Sequence, residues 1–254
     1  MSVPKQRQKA QILRLPASSV VRGWLGAGWR DYCANPLRSL LFGTSLFALG
    51  WGAVLGLYQL NLGWMILPAA AGAMMLGPLA TVDLYRHSRR RAGLGGGGIA
   101  APRQIFLVGV VMMVLALMWV RAATLLFAVF FGLRPFAGFP ETLTTLLNTP
   151  QGIALLVVGS LVGGLFAALG FAISAFSFPM LVHRDIGGFS AMALSFNATL
   201  RNFRLTVLWG GTVTALIGVS LLTGLVGLIL AFPLLGYATW HSYADLFESD
   251  TDAL

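Results

Sequence analysis

Charge is what this chain has least of. Only 10% of its 254 residues are Asp, Glu, Lys or Arg, against about 25% in a soluble domain. With 57% hydrophobic residues and a mean hydropathy of +0.81, too little polar surface remains to face water, and hydrocarbon becomes the natural solvent. Cysteine is nearly absent as well. Cys33 stands alone, which excludes an intrachain disulfide framework and a Cys-rich metal site. Histidine is scarce: His87, His183 and His241 are too few for a multinuclear centre held by this chain, and no pair has the i, i+4 spacing of a helical metal site. The run Gly95 to Gly98 lacks the Lys-Ser/Thr ending of a phosphate loop and reads as a linker. No Ser, Cys or Lys lies in a nucleophile motif. No catalytic group, cofactor or metal is therefore expected, and no enzyme activity.

What the chain does have is long apolar runs. A helix needs roughly 20 residues to cross a bilayer. Six blocks approach or exceed that length: Leu37 to Tyr58, Gly63 to Leu84, Arg103 to Phe131, Gly152 to Leu181, Leu205 to Leu222 and Gly224 to Tyr243. The last two are parted only by Thr223-Gly224. A single helix of about 39 residues would be nearly twice the bilayer thickness, so two are expected. A loop is expected from Gly132 to Gln151. The reading is an all-α polytopic membrane helix bundle of about six spans. A basic tail over residues 1–17 precedes one membrane domain over 18–247, and an acidic tail over 248–254 follows it.

A net charge of +9 could indicate a nucleic-acid partner, but the basic residues are dispersed between apolar blocks. That is a topology pattern, and no nucleic-acid binding is expected. With the N-terminus inside, fifteen of the seventeen basic residues fall in inside segments, Arg121 and Arg134 being the exceptions. The bias places both termini in the cytoplasm. The N-terminal basic stretch lacks an apolar core and cleavage site, so no cleaved signal is expected.

Three outward helices begin alike: Pro36 to Gly43, Pro102 to Gly109 and Phe203 to Gly210, each with a basic residue near its start. Pro78, Pro179 and Pro233 precede a histidine near the end of each returning helix. Three hairpins of related design are one reading. Chance recurrence of Leu, Gly and boundary Arg is the other. Two amphipathic interfacial helices are expected besides. Over Ser19 to Asn35, Val20, Val21, Trp24, Leu25, Trp29 and Tyr32 share a face, with Arg22, Arg30 and Asp31 largely elsewhere and Asn35-Pro36 as the stop. Over Gly187 to Phe203, Phe189, Met192, Phe196, Leu200 and Phe203 align. Both are also readable as cytoplasmic extensions of the next span.

Three polar residues stand out as functional candidates. Arg121 lies some 27 Å along a helix from Arg103. It is either intramembrane, with Glu141 of the outer loop as a partner, or snorkelling to outer headgroups. Asp83 is either an ion- or proton-relay carboxylate or one half of a boundary ion pair. The glycines around Gly159, Gly163 and Gly164 favour close helix packing.

The stretches Trp24 to Leu40, with Gly28-Trp29-Arg30-Asp31 and Asn35-Pro36, Leu67 to Pro78, with Pro68 and Gly77-Pro78, and Asp83-Leu-Tyr-Arg86 resemble a proteobacterial family of predicted integral membrane proteins classed as a domain of unknown function. The resemblance implies a bacterial inner-membrane location and brings no activity or catalytic residues. Members labelled as resembling cytochrome oxidase subunits would need a histidine set that this chain lacks. The expected role is a non-enzymatic accessory or scaffold protein for a membrane complex. Its partners would be lipids and another membrane protein or a second copy. A small transporter or channel is the alternative.

Overall fold

Proline marks where helices begin. Pro36, Pro102 and Pro150 each occupy the first position of a helix, where a missing N–H costs nothing and φ is already set. The computed structural model describes residues 16–93, 98–132 and 139–247, and every regular element among them is helical. In order these are α1 (Ala17–Ala34), α2 (Pro36–Gln59), a 3-10 turn (Gly63–Met65), α3 (Ile66–Ala80), α4 (Val82–Arg91) and α5 (Pro102–Phe131). Then come α6 (Phe139–Asn148), α7 (Pro150–Ser174), α8 (Ser177–His183), α9 (Gly188–Arg201), α10 (Phe203–Leu222) and α11 (Leu228–Phe247). The basic tail through residue 15, the glycine run at 95–97 and the acidic tail at 248–254 lie outside the described residues.

Four stretches are long and apolar enough to cross a membrane: Pro36–Gln59, Pro102–Phe131, Pro150–His183 and Phe203–Leu222. α5 runs unbroken through Arg121 for 30 residues. The break after Leu222 is a turn in which Gly224 has φ +63 and Leu225 φ +70. The left-handed conformation suits glycine and ends α10. The segment read as a loop, 132 to 151, contains α6, with Thr142 and Leu146 buried one turn apart. Thr149 then caps α7, its Oγ accepting from the Gly152 N–H at 3.0 Å.

The chain divides into two compact units, residues 1–48, 78–108 and 172–254, and residues 49–77 and 109–171. In the first, α1 lies along α11 and also touches α10, while α4 packs on α11 and α8. Gly28 permits this: a Cβ there would come within 2.8 Å of the Ala238 backbone nitrogen. The core is aromatic, with Trp24, Trp209, Trp240, Tyr85, Tyr237 and Phe178 fully buried. Burying a side chain of that kind contributes about 2 kcal/mol. In the second unit, the Trp119 ring rests against Gly163 and beside Phe166, centroids 6.0 Å apart. Gly163 thus admits a large side chain, while Gly159 and Gly164 have nothing within 4 Å.

The apolar stripe of α1 differs from the expectation in what covers it. Val20, Val21, Trp24, Gly28, Asp31 and Tyr32 are all buried, against protein, while Trp29 stays half exposed. Asp31 sits on this buried face, seven residues from Trp24 and three from Gly28, not on the polar side.

Candidate functional site

The position of Asp31 makes it the most constrained charge among the described residues, 6% exposed. Two helices supply its partners. Ser88 and Arg91, three apart on α4, share one face. The Ser88 hydroxyl donates to Oδ2, and Arg91 Nε lies 3.0 Å from Oδ1. From α11, His241 Nε2 lies 3.0 Å from Oδ2. Because the carboxylate can only accept, that nitrogen is the donor. Burial alone would raise the Asp31 pKa. The hydrogen bonds from His241 and Ser88 and the nearby charges of His241 and Arg91 outweigh it, so the net shift is downward.

One turn after His241, Asp245 accepts from Trp24 Nε1 at 2.7 Å. Here burial prevails over the Trp24 bond and the His241 charge, and the carboxyl pKa is raised. Two carboxylates of opposite shift therefore tie α1 to α11.

A more exposed layer joins the start of α2 to α4. Asp83 pairs with Arg38 at 2.5 Å and with Arg86 at 3.6 Å. Its side chain is 47% exposed, where such pairs contribute little. His87 lies 3.4 Å from Arg38 through Nδ1 and 3.2 Å from the Asn35 side-chain amide through Nε2. The guanidinium and the amide N–H both donate, and a neutral imidazole offers one lone pair, so the ring accepts from one of the two at a time. Beneath, Ser39 Oγ meets the Tyr237 hydroxyl at 3.1 Å.

Burial first, then the Arg38 charge, lowers the His87 pKa from its ordinary 6.5. The unfolded chain thus takes up the proton first, and stability falls as pH drops through 6.5 toward the folded value. Between pH 7.5 and 5.5, the apparent unfolding temperature in detergent should fall more for the native chain than for His87→Gln. Equal slopes would remove His87 from the account of acid sensitivity.

The other sequence candidates fall elsewhere. Arg121 is exposed on α5 in a groove lined by Val114, Leu117, Met118, Ala122, Leu125 and Phe166. Glu141 is exposed in the first turn of α6, and no ion pair among the described residues joins it to Arg121. Trp29 stacks on Tyr32, centroids 5.3 Å apart. Arg30 is exposed, and Asn35 terminates α1. No group of three His, Cys, Asp or Glu placed to hold a metal occurs among the described residues. Sequence reasoning missed Ser88, Arg91, His241 and Asp245 as partners. Only the i, i+3 spacing of Ser88 and Arg91 and the i, i+4 spacing of His241 and Asp245 hinted at shared faces.

Residues 66–183, less than half of the chain, match the model of a family described as "Predicted integral membrane protein (DUF2189)". The matched stretch includes Asp83, Ser88 and Arg91 but neither Asp31 nor His241. No curated protein and no solved structure matches the chain. Helices of spanning length and apolarity, together with this likeness over α3 to α8, make the chain an integral membrane protein.

Proposed function

We propose that this protein is a non-enzymatic accessory or scaffold protein for a complex of the bacterial inner membrane. In this reading it has six spans arranged as three hairpins, with both termini cytoplasmic. The orientation rests on the fifteen basic residues of the inside segments. The hairpins pair α2 with α3, α5 with α7 and α10 with α11. The starts of α2, α5 and α10 at Pro36, Pro102 and Phe203 favour a related design.

One observation carries the functional reading. The polar side chains at the inner ends of the helices bond to one another across α1, α2, α4 and α11, through Asp31, Asp83, Asp245 and their partners. That arrangement supports a platform, cytoplasmic in this orientation, suited to holding a partner in place. Affinity purification of the full chain in mild detergent should recover a membrane protein in constant stoichiometry. Repeated recovery of the chain alone would count against the scaffold.

Arg121 favours a second reading, a small transporter or channel. It is exposed among apolar residues of a long span, where a charge costs about 2.5–3.5 kcal/mol unless it reaches the headgroups. Solute or ion flux into proteoliposomes that Arg121→Gln abolishes would replace the scaffold with this reading.

A further inference from the structure

The two amphipathic helices outside the apolar spans part company in the structure. α1 buries its stripe against α11, whereas α9 buries Met192 of its stripe and leaves the rest open. At about 100° per residue, α9 divides into three sectors. Gly188, Ala191, Met192 and Ser195 are buried on the protein. Next to them run Phe189 (67% exposed), Phe196 (39%) and Leu200 (56%), with Ala193 among them, and Phe203 (61%) follows at the start of α10. The remaining side carries Ser190, Asn197 and Arg201, all exposed, with Leu194 (46%) at its edge, Arg201 Nε donating to Asn197 Oδ1 at 3.1 Å.

The buried sector is pinned by polar contacts. Ser195 Oγ donates to the Ala172 carbonyl at 2.8 Å and accepts from the Phe176 N–H at 3.2 Å, satisfying backbone at the break between α7 and α8. The Gly188 N–H donates to Gln104 Oε1 at 2.8 Å. These bonds stop the helix from rolling its phenylalanines inward.

We infer that α9 lies in the inner headgroup layer, its Phe189–Phe203 stripe in the acyl boundary, and that Arg201 and Arg204 bind anionic phospholipid headgroups. A helix resting on protein in water needs two sectors, apolar inward and polar outward. Protein, hydrocarbon and water meeting along one helix explain three. Its depth follows from connectivity, since only Asn202 separates α9 from the span Phe203–Leu222. Charge complementarity names the lipid: Arg201 and Arg204, both exposed, flank the stripe where it meets that span.

The inference rests on the inside orientation proposed above. Partner recovery and lipid contact are read separately, so a failed partner search leaves it standing. In a Cys33→Ser background, nitroxide labels at 189, 196 and 200, and at 190 and 197, report on the full chain in vesicles of phosphatidylcholine and phosphatidylglycerol. The first three should collide with oxygen and be shielded from an aqueous nickel chelate, and the last two should show the reverse. Chelate access to the stripe equal to that at 197 overturns the inference. So does protection of the stripe from both reagents, which would mean a protein cover such as a second copy. Selectivity for spin-labelled phosphatidylglycerol over phosphatidylcholine should fall about fivefold for each of Arg201→Gln and Arg204→Gln. Unchanged selectivity would overturn the anionic part.

Discussion

Replacing Asp31 with leucine lowers the apparent unfolding temperature in detergent by roughly 6–12 °C, the shift expected for about 3 kcal/mol in a chain of this size. The cost comes from what is left behind. Removing one member of a buried ion pair destabilises by about 3–5 kcal/mol because its partners lose their compensation. Arg91, 42% exposed, can turn to water, which places the loss at the lower end. The Ser88 hydroxyl, 1% exposed, and His241, 28% exposed, cannot rehydrate as freely. Two controls separate this from general fragility. Asp83→Asn, at a half-exposed pair, should cost under about 1 kcal/mol. Adding Ser88→Ala and His241→Leu to Asp31→Leu should restore most of the loss, because a well-packed apolar cluster replaces a buried ionic one at little cost. Acid closes the gap as well. With its pKa depressed below the ordinary 3.8, Asp31 contributes its stability above that value and loses it as pH falls through the folded value. Native chain and Asp31→Leu should therefore converge only in strong acid.

Gly43→Ala should be the most damaging single methyl addition in α2. A Cβ at Gly43 would overlap the Ile229 carbonyl oxygen and come within 2.7 Å of its carbon and Cα. These are backbone atoms that no rotamer change can move aside, so α2 and α11 must separate. Overpacking of this kind costs about 1–3 kcal/mol, and the upper end applies. On the same helix, Gly52 and Gly56 have nothing within 4 Å. Alanine there should be neutral or stabilise by about 0.5–1 kcal/mol, since glycine weakens a helix interior. Thermal unfolding of the three variants side by side checks the contrast. Equal effects would mean that Gly43 is not a contact between helices.

Helix ends were largely legible because local chemistry writes them. Asn35-Pro36, Pro102 and the Thr223-Gly224 break lie where backbone sterics put them. α6 escaped notice because ten residues with two buried positions one turn apart make a weak periodic signal between glycine and proline. The Asp31 knot was illegible for a different reason. Ser88 and His241 lie 57 and 210 residues away in sequence, and no periodicity reports which faces meet across such distances. Periodicity also cannot say what covers an apolar stripe. α1 and α9 read alike as sequences, yet α11 covers one and leaves the other open. Arg121 and Glu141 stood out because charge is rare in this chain, but rarity alone does not bring two residues together.

The platform that these charges build is proposed to face the cytoplasm, and the chain carries its own probe. Cys33, its single cysteine, is exposed in the last turn of α1, two residues from Asp31. A membrane-impermeant maleimide applied to the unmodified protein should label Cys33 in inside-out vesicles and after solubilisation, and not in sealed right-side-out vesicles. Labelling in right-side-out vesicles would invert the topology. Labelling only after solubilisation would place the platform within the hydrocarbon and contradict the scaffold it is proposed to form.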